Sequence, residues 1–170
     1  MVYLKKLTLL HIVVFIKLFV VFFIIKGFFL SVLLEKFPDS HKHLLQTRAL
    51  LYLATTMKDG SPQVSPLWFS VDDNFILVNS AKGRIKDKNM RRNKKVSVAI
   101  VDPENAFLWM GIQGSVLDIT EVGADDQVDL LAKKYLDMDS SPNKQEGQIR
   151  VIYKIRADKV YTMDPPPAFS

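Results

Sequence analysis

The chain has 170 residues, with 48% hydrophobic, 24% charged and 11% aromatic side chains and a formal net charge of +5. It contains no cysteine, which excludes a disulfide scaffold, a thiolate metal site and a cysteine nucleophile. The length suits one compact domain with an appendage, and this composition excludes a disordered or low-complexity chain.

Residues 1–36 form an apolar N-terminal segment, predicted as one long helix. Between Thr8 and Ile25 only Thr8, His11 and Lys17 interrupt an apolar run about long enough to cross a bilayer. Three readings stay open. A membrane anchor through residues 8–25 makes the protein cytoplasmic-facing and membrane-attached. A start site assigned too far upstream, with a non-ATG codon at Val32, Leu33 or Leu34, makes it cytoplasmic. The third is a buried core helix, in which Lys17 and Lys26 need partners.

Phe37-Pro38 closes that segment, because proline restrains the residue before it. Asp39 or Ser40 can cap a short helix running to about Thr47. Residues 50–57 read as a strand, Lys58-Asp59-Gly60 as a hairpin turn, and residues 63–71 as the return strand carrying Trp68 and Phe69. Asp72-Asp73-Asn74 makes the next turn, and residues 75–78 a third strand. Residues 83–92 favour a short helix, residues 95–101 a strand and Asp102-Pro103-Glu104-Asn105 a loop. Strands at 107–112 and 115–120 join near Gln113-Gly114. Asp125 and Asp126 suit a helix N-terminus, and Val128, Leu131, Ala132 and Tyr135 follow with helical spacing. After a loop around Pro142, apolar and basic residues alternate through a last strand, residues 149–163. The pattern predicts a mainly β (α+β) fold, a six- to seven-stranded antiparallel barrel with a few short helices. That domain spans residues 37–164, and residues 165–170 form a Pro-rich tail.

The positive charge is concentrated at Lys82, Arg84, Lys86, Lys88, Arg91, Arg92, Lys94 and Lys95, opposed there only by Asp87. Outside this stretch the chain is slightly acidic. One short cluster suits a small polyanion such as a phosphate better than nucleic acid, which takes basic residues spread over a face. No stacking aromatics interleave with it, so no nucleic-acid partner is expected. Histidine occurs only at positions 11, 41 and 43, and no metal-ligand spacing, glycine-rich phosphate loop or serine nucleophile elbow is present. No catalytic side chain and no metal ligand is therefore assigned, and any chemistry falls to a bound cofactor. The run from Asn79 to Arg92 supports one. Asn79 and Ser80 end a strand with small polar groups, and Gly83 permits a close backbone approach. Arg84 then supplies a bidentate fork and Lys86 a point charge beside a helix N-terminus. The alternative for this run is a solvated basic helix face.

The same run resembles the cofactor-phosphate segment of the pyridoxamine 5'-phosphate oxidase-like split-barrel family, and more closely its deazaflavin-dependent oxidoreductase branch. The resemblance extends to Leu53-Ala54-Thr55 and Asp59-Gly60-Ser61-Pro62 in an opening hairpin, and to Val64-Ser65-Pro66-Leu67-Trp68-Phe69 in the second strand. It continues through an R-x-x-x-V-x-V-x-x-x-D pattern from Arg92 to Asp102 and through Gln113-Gly114. It implies a homodimer of split barrels with FMN or a deazaflavin (coenzyme F-420) between protomers, acting on a small-molecule substrate. By the same resemblance Arg84 and Lys86 hold the cofactor phosphate and Asn89 supports the turn. Ser65, Pro66, Leu67 and Trp68 line the ring site, and Asn79, Ser80 and Gln113 add contacts. The implied activity is an oxidoreductase passing a hydride to a small organic acceptor; the alternative is a non-catalytic flavin or deazaflavin carrier or sensor. Adjacent strand residues point oppositely, so one of Trp68 and Phe69 faces the core. The N-terminal segment is foreign to the family pattern. The tail lacks the basic substrate segment of the true pyridoxamine-phosphate oxidases, so vitamin B6 oxidation is not implied.

Overall fold

The computed structural model describes residues 36–72, 75–142 and 144–163. The apolar segment up to residue 35, the turn positions Asp73 and Asn74, Asn143 and the Pro-rich tail lie outside the described residues. Among the described residues, no helix is long and apolar enough to cross a membrane.

A 3-10 helix, Asp39–Leu45, leads into strands β1 (Leu51–Thr56), β2 (Pro62–Leu67), β3 (Phe69–Val71) and β4 (Ile76–Ala81). Helix α1 (Ile85–Arg92), β5 (Lys95–Val101), β6 (Trp109–Thr120), α2 (Ala124–Leu136) and β7 (Arg150–Met163) complete the domain. The seven strands form one antiparallel sheet in the order β2-β1-β5-β6-β7-β4-β3. Its two edge strands, β2 and β3, are consecutive in the chain and separated by Trp68 alone. A single residue cannot span an open seven-stranded sheet, so the sheet must curl until its edges nearly meet.

Three predicted boundaries change. The return strand predicted at 63–71 breaks at Trp68, where the chain leaves one sheet edge for the other. The first helix is 3-10, with Pro38 as its N-cap and no side-chain cap; Asp39 instead pairs with Lys42. The strands predicted on either side of Gln113-Gly114 are one strand, kept continuous by register shifts at Gln113/Gly114 and Val116/Asp118. Gly114 marks no turn. A Cβ there would lie 2.8 Å from Ile155 Cγ2 and 2.9 Å from the Arg156 carbonyl oxygen, so only glycine admits the close approach of β7.

The core follows strand alternation. Leu51, Leu53, Val96, Val98, Ile100, Met110, Ile112, Val151, Tyr153 and Ile155 face inward, with Phe69, Ile76, Val78 and Met90 packed among them. Each such side chain contributes on the order of 2 kcal/mol on burial. Helix α2 covers the other side of the sheet near β4 and β7, burying Val128, Leu131, Ala132 and Tyr135. The pairing register also defines the outward face of β2-β1-β5-β6-β7. Pro66, Tyr52, Ala99, Gly111 and Tyr161 form one row across it, and Val64, Ala54, Ser97, Gln113 and Lys159 the next. Tyr52, Val64 and Tyr161 are exposed there.

Candidate functional site

A cleft of about 450 Å³ opens where the two sheet edges approach each other, lined by Leu50, Pro66, Leu67, Trp68, Asn79, Arg84, Val128, Ser141, Gln145 and Arg150. Its apolar wall follows from the break at Trp68. Phe69 is fully buried in the core, so its neighbour Trp68 turns out into the cleft and stacks on Tyr135, with ring centroids 5.3 Å apart and planes 8° from parallel. Tyr135 is pinned beneath it. Its hydroxyl donates to the Ala49 carbonyl (2.8 Å) and accepts from the Phe69 N–H (3.4 Å), and burial pushes its pKa up to about 12.

The opposite wall is cationic. Arg84 stands at the head of α1, Lys86 in its first turn and Arg150 at the start of β7, where the register pairs it with Ala81. Burial, then repulsion from Arg84 and Arg150, holds the Lys86 pKa below its ordinary value. Burial, then Arg84, does the same to Arg150. Two neighbouring cations are neutralised: Lys82 pairs with Glu121 (2.6 Å) and Arg91 with Asp87 (2.7 Å). Among the described residues no carboxylate lies within ion-pair distance of Arg84, Lys86 or Arg150.

Asp87 fixes how α1 presents these charges. It is buried, and although burial alone would raise its pKa, three donors hold it below the usual value. These are the Tyr153 hydroxyl (2.6 Å), the Gly83 N–H (2.7 Å) and Arg91 Nε (2.7 Å). Gly83 makes the turn possible with φ of +86°, while open space surrounds the place of its absent Cβ. The conformation, rather than a close approach, accounts for this glycine.

The cleft gathers Pro66, Leu67, Trp68, Asn79 and Arg84 of the predicted site, with Lys86 beside them. Asn79 is there in a different role. Its Nδ2 donates to the Ala124 carbonyl and to Gln127 Oε1 (2.7 Å each), and its Oδ1 accepts both Nε and Nη2 of Arg150. Its amide thus seats Arg150. Ser80, one residue on, points into the barrel interior, where its hydroxyl has no hydrogen-bond partner among the described residues; strand alternation takes it out of the cleft. Ser65 and Asn89 are not among the residues lining this cleft; they stand at opposite ends of a polar chain. Asn89 donates to Thr55 Oγ1 (3.0 Å), Thr55 donates to Gln63 Oε1 (3.0 Å), and Gln63 donates to Ser65 Oγ (2.7 Å). Asn89 thereby ties α1 to β1. Gln113 lines a second cleft of about 540 Å³ on the outward sheet face, together with Thr56, Lys95, Ser97 and Lys159.

Arg150, Tyr135, Gln145 and Val128 escape a reading of the sequence. The alternation of the last strand puts Arg150 on the non-core face, which reads as solvent; the described structure covers that face with α2. The helical spacing of Val128 and Tyr135 marks them as buried without saying that their helix walls a cleft.

Residues 37–164 match the family model of pyridoxamine 5'-phosphate oxidase. Among solved structures, an F420 reductase is 26% identical with a TM-score of 0.67, the match covering 74% of this chain and 98% of that one. General stress protein 26 of Bacillus anthracis is 18% identical (TM-score 0.56; 75% and 94% covered). The haem storage protein HutZ of Vibrio cholerae is 17% identical (TM-score 0.55; 72% and 91% covered). The latter two share the fold.

Proposed function

Because this chain belongs to the pyridoxamine 5'-phosphate oxidase family, we propose that it is an oxidoreductase that holds FMN or a deazaflavin in the cleft between Trp68 and Arg84 and passes a hydride to a small organic acceptor. The observation that carries this reading is the polarity of that single cleft. One wall is flat and apolar, and the other is lined by cations without carboxylate partners. Such a pair of walls fits a planar ring with a phosphate-bearing tail, and the volume lies within the range of small-molecule sites. The likeness to an F420 reductase favours a deazaflavin.

In this reading Pro66, Leu67 and Trp68 bind one face of the ring and keep water from it, Tyr135 holds the indole flat, and Arg84 and Lys86 take the phosphate. Asn89 and Ser65 act indirectly, by fixing α1 and β2. When bound, the ring supplies the hydride chemistry, so these side chains are needed to bind, orient and exclude water. A second copy of the chain covers the outward sheet face, where Tyr52, Val64 and Tyr161 would otherwise remain in water, and brings its Gln113 towards the first copy's cofactor. The haem named for the Vibrio cholerae relative is not carried over. His41 bonds the Met163 carbonyl and His43 bonds Asp102, and neither is among the residues lining the two clefts described above.

Titration of the full chain with FMN and with coenzyme F-420 tests this. Saturation below millimolar concentration by at least one, with quenching of Trp68 fluorescence in a Trp109→Phe background, is the expected result. Failure of both to bind overturns it. Binding without turnover across a broad acceptor panel would make the protein a carrier or sensor instead.

A further inference from the structure

Arg150 is 7% exposed, yet it lines the cleft and has no carboxylate within ion-pair distance among the described residues, Asp125 acting on it only from farther off. A buried, unpaired guanidinium is costly unless an anion compensates it. Its hydrogen bonds show which way it faces. Nε and Nη2 donate to Asn79 Oδ1, and Nη1 donates to Gln148 Oε1 at 3.1 Å. A guanidinium has five N–H groups, so two remain for a ligand. Asn79 cannot turn to release it, because the Ala124 carbonyl and Gln127 Oε1 both require the amide nitrogen where it is. Gln127 is held in turn through its donation to Ser70 Oγ (3.2 Å). Arg84, in contrast, is exposed, and Lys86 is half-exposed on a flexible stem. Of the three cations, Arg150 is the one whose orientation is set before any ligand arrives, and it loses the least freedom on binding.

We infer that Arg150, seated by Asn79, holds the phosphate of the bound cofactor and is the residue that selects a phosphorylated ring over a phosphate-free one. This rests on the cofactor reading above. The shared chemistry is a phosphate, either the terminal group of FMN or the diester within a deazaflavin tail.

The test measures dissociation constants of the full chain for FMN against riboflavin, and for coenzyme F-420 against the same deazaflavin without its tail. Wild type, Arg150→Gln and Arg150→Lys are compared. Loss of a charge-assisted pair predicts about 10- to 100-fold weaker binding of the phosphate-bearing cofactor to Arg150→Gln. The phosphate-free ring should change less than about twofold, and Arg150→Lys should recover part of the loss. Whichever pair shows the effect identifies the source of the phosphate. Equal weakening of both ring forms would mean that Arg150 only fastens β4 to β7. That result, or no weakening at all, overturns the inference while leaving the cofactor reading intact. If Arg150→Gln does not fold, the ratio of phosphorylated to phosphate-free binding in Arg150→Lys decides, and an unchanged ratio overturns the inference. Should wild type bind none of the rings, the cofactor reading falls and inorganic phosphate decides. Phosphate that raises the unfolding temperature of wild type but not of Arg150→Gln then keeps Arg150 as a phosphate-holding residue while its role in choosing between rings is overturned with the cofactor; raising both or neither overturns the inference entirely.

Discussion

The Tyr153 hydroxyl donates a 2.6 Å hydrogen bond to the buried carboxylate of Asp87, linking the beginning of the last strand to the first turn of the helix that carries Arg84 and Lys86. Burial and the Asp87 charge together raise the Tyr153 pKa, so the hydroxyl remains a donor across the physiological range. The presentation of Arg84 and Lys86 thus depends on a core tyrosine far along the chain from them.

Tyr153→Phe leaves the Asp87 carboxylate buried with one donor fewer. It should destabilise the fold by about 1–3 kcal/mol and raise the Asp87 pKa. Urea unfolding at neutral pH, with NMR titration of the carboxyl, checks both; an unchanged midpoint would show that the hydrogen bond contributes nothing net.

Arg84→Ala combined with Lys86→Ala should weaken cofactor binding by about 1.5–3 kcal/mol for each charge-assisted contact removed. Folding stability should hardly change, because among the described residues neither side chain has an ion-pair partner to lose. Calorimetric titration set beside thermal unfolding separates the two effects. Unaltered affinity in the double variant would refute the assignment of this wall.

Tyr52→Glu with Val64→Glu places two charges in the outward apolar rows and should convert a dimer into a monomer, read by light scattering. Cofactor affinity should fall with it, since Gln113 of the second copy is then missing. A wild type that is monomeric at micromolar concentration contradicts the proposed dimer.

Asp158 accepts from Ser115, Arg156 and Lys95, and the Ser115 hydroxyl, then Arg156, holds its pKa at about 2. A depressed carboxyl pKa contributes stability that is complete above its unfolded value, near 3.8, and is lost as pH falls towards 2. With partial exposure and screening, the contribution is on the order of 1 kcal/mol. Asp158→Asn should be less stable than wild type by a constant amount above about pH 5, and the gap should close in acid. A gap independent of pH would assign the effect to packing instead.

Gly114→Ala forces a methyl group against Ile155 and the Arg156 carbonyl, and should cost about 1–3 kcal/mol as β6 and β7 separate. Chemical denaturation reads the loss, and hydrogen exchange should show it concentrated in the β6–β7 pairing.

Much of the framework is legible along the chain, because alternation and turn chemistry are local. Val96 and Val98 lie inward as their spacing implies, the helix at Ile85–Arg92 falls within the predicted segment, and Trp68 and Phe69 do face opposite ways. Gly114 misleads because a glycine needed for close strand approach looks the same in sequence as one needed for a turn. Asn79 and Ser80 mislead in another way. Both are small, polar and at a strand end; alternation turns one of them away from the cleft, but nothing local says that the other seats an arginine.

By itself the sequence determined the strand pattern, the short cationic segment and the absence of a thiol, all properties of neighbouring residues. Only the tertiary structure decided that Arg150 joins Arg84 and Lys86, and that Tyr135 lies under Trp68. Those meetings depend on the pairing of β4 with β7 and on the docking of α2 across them. They are long-range choices among many registers that local periodicity allows equally, and burial of the common core selects one of them.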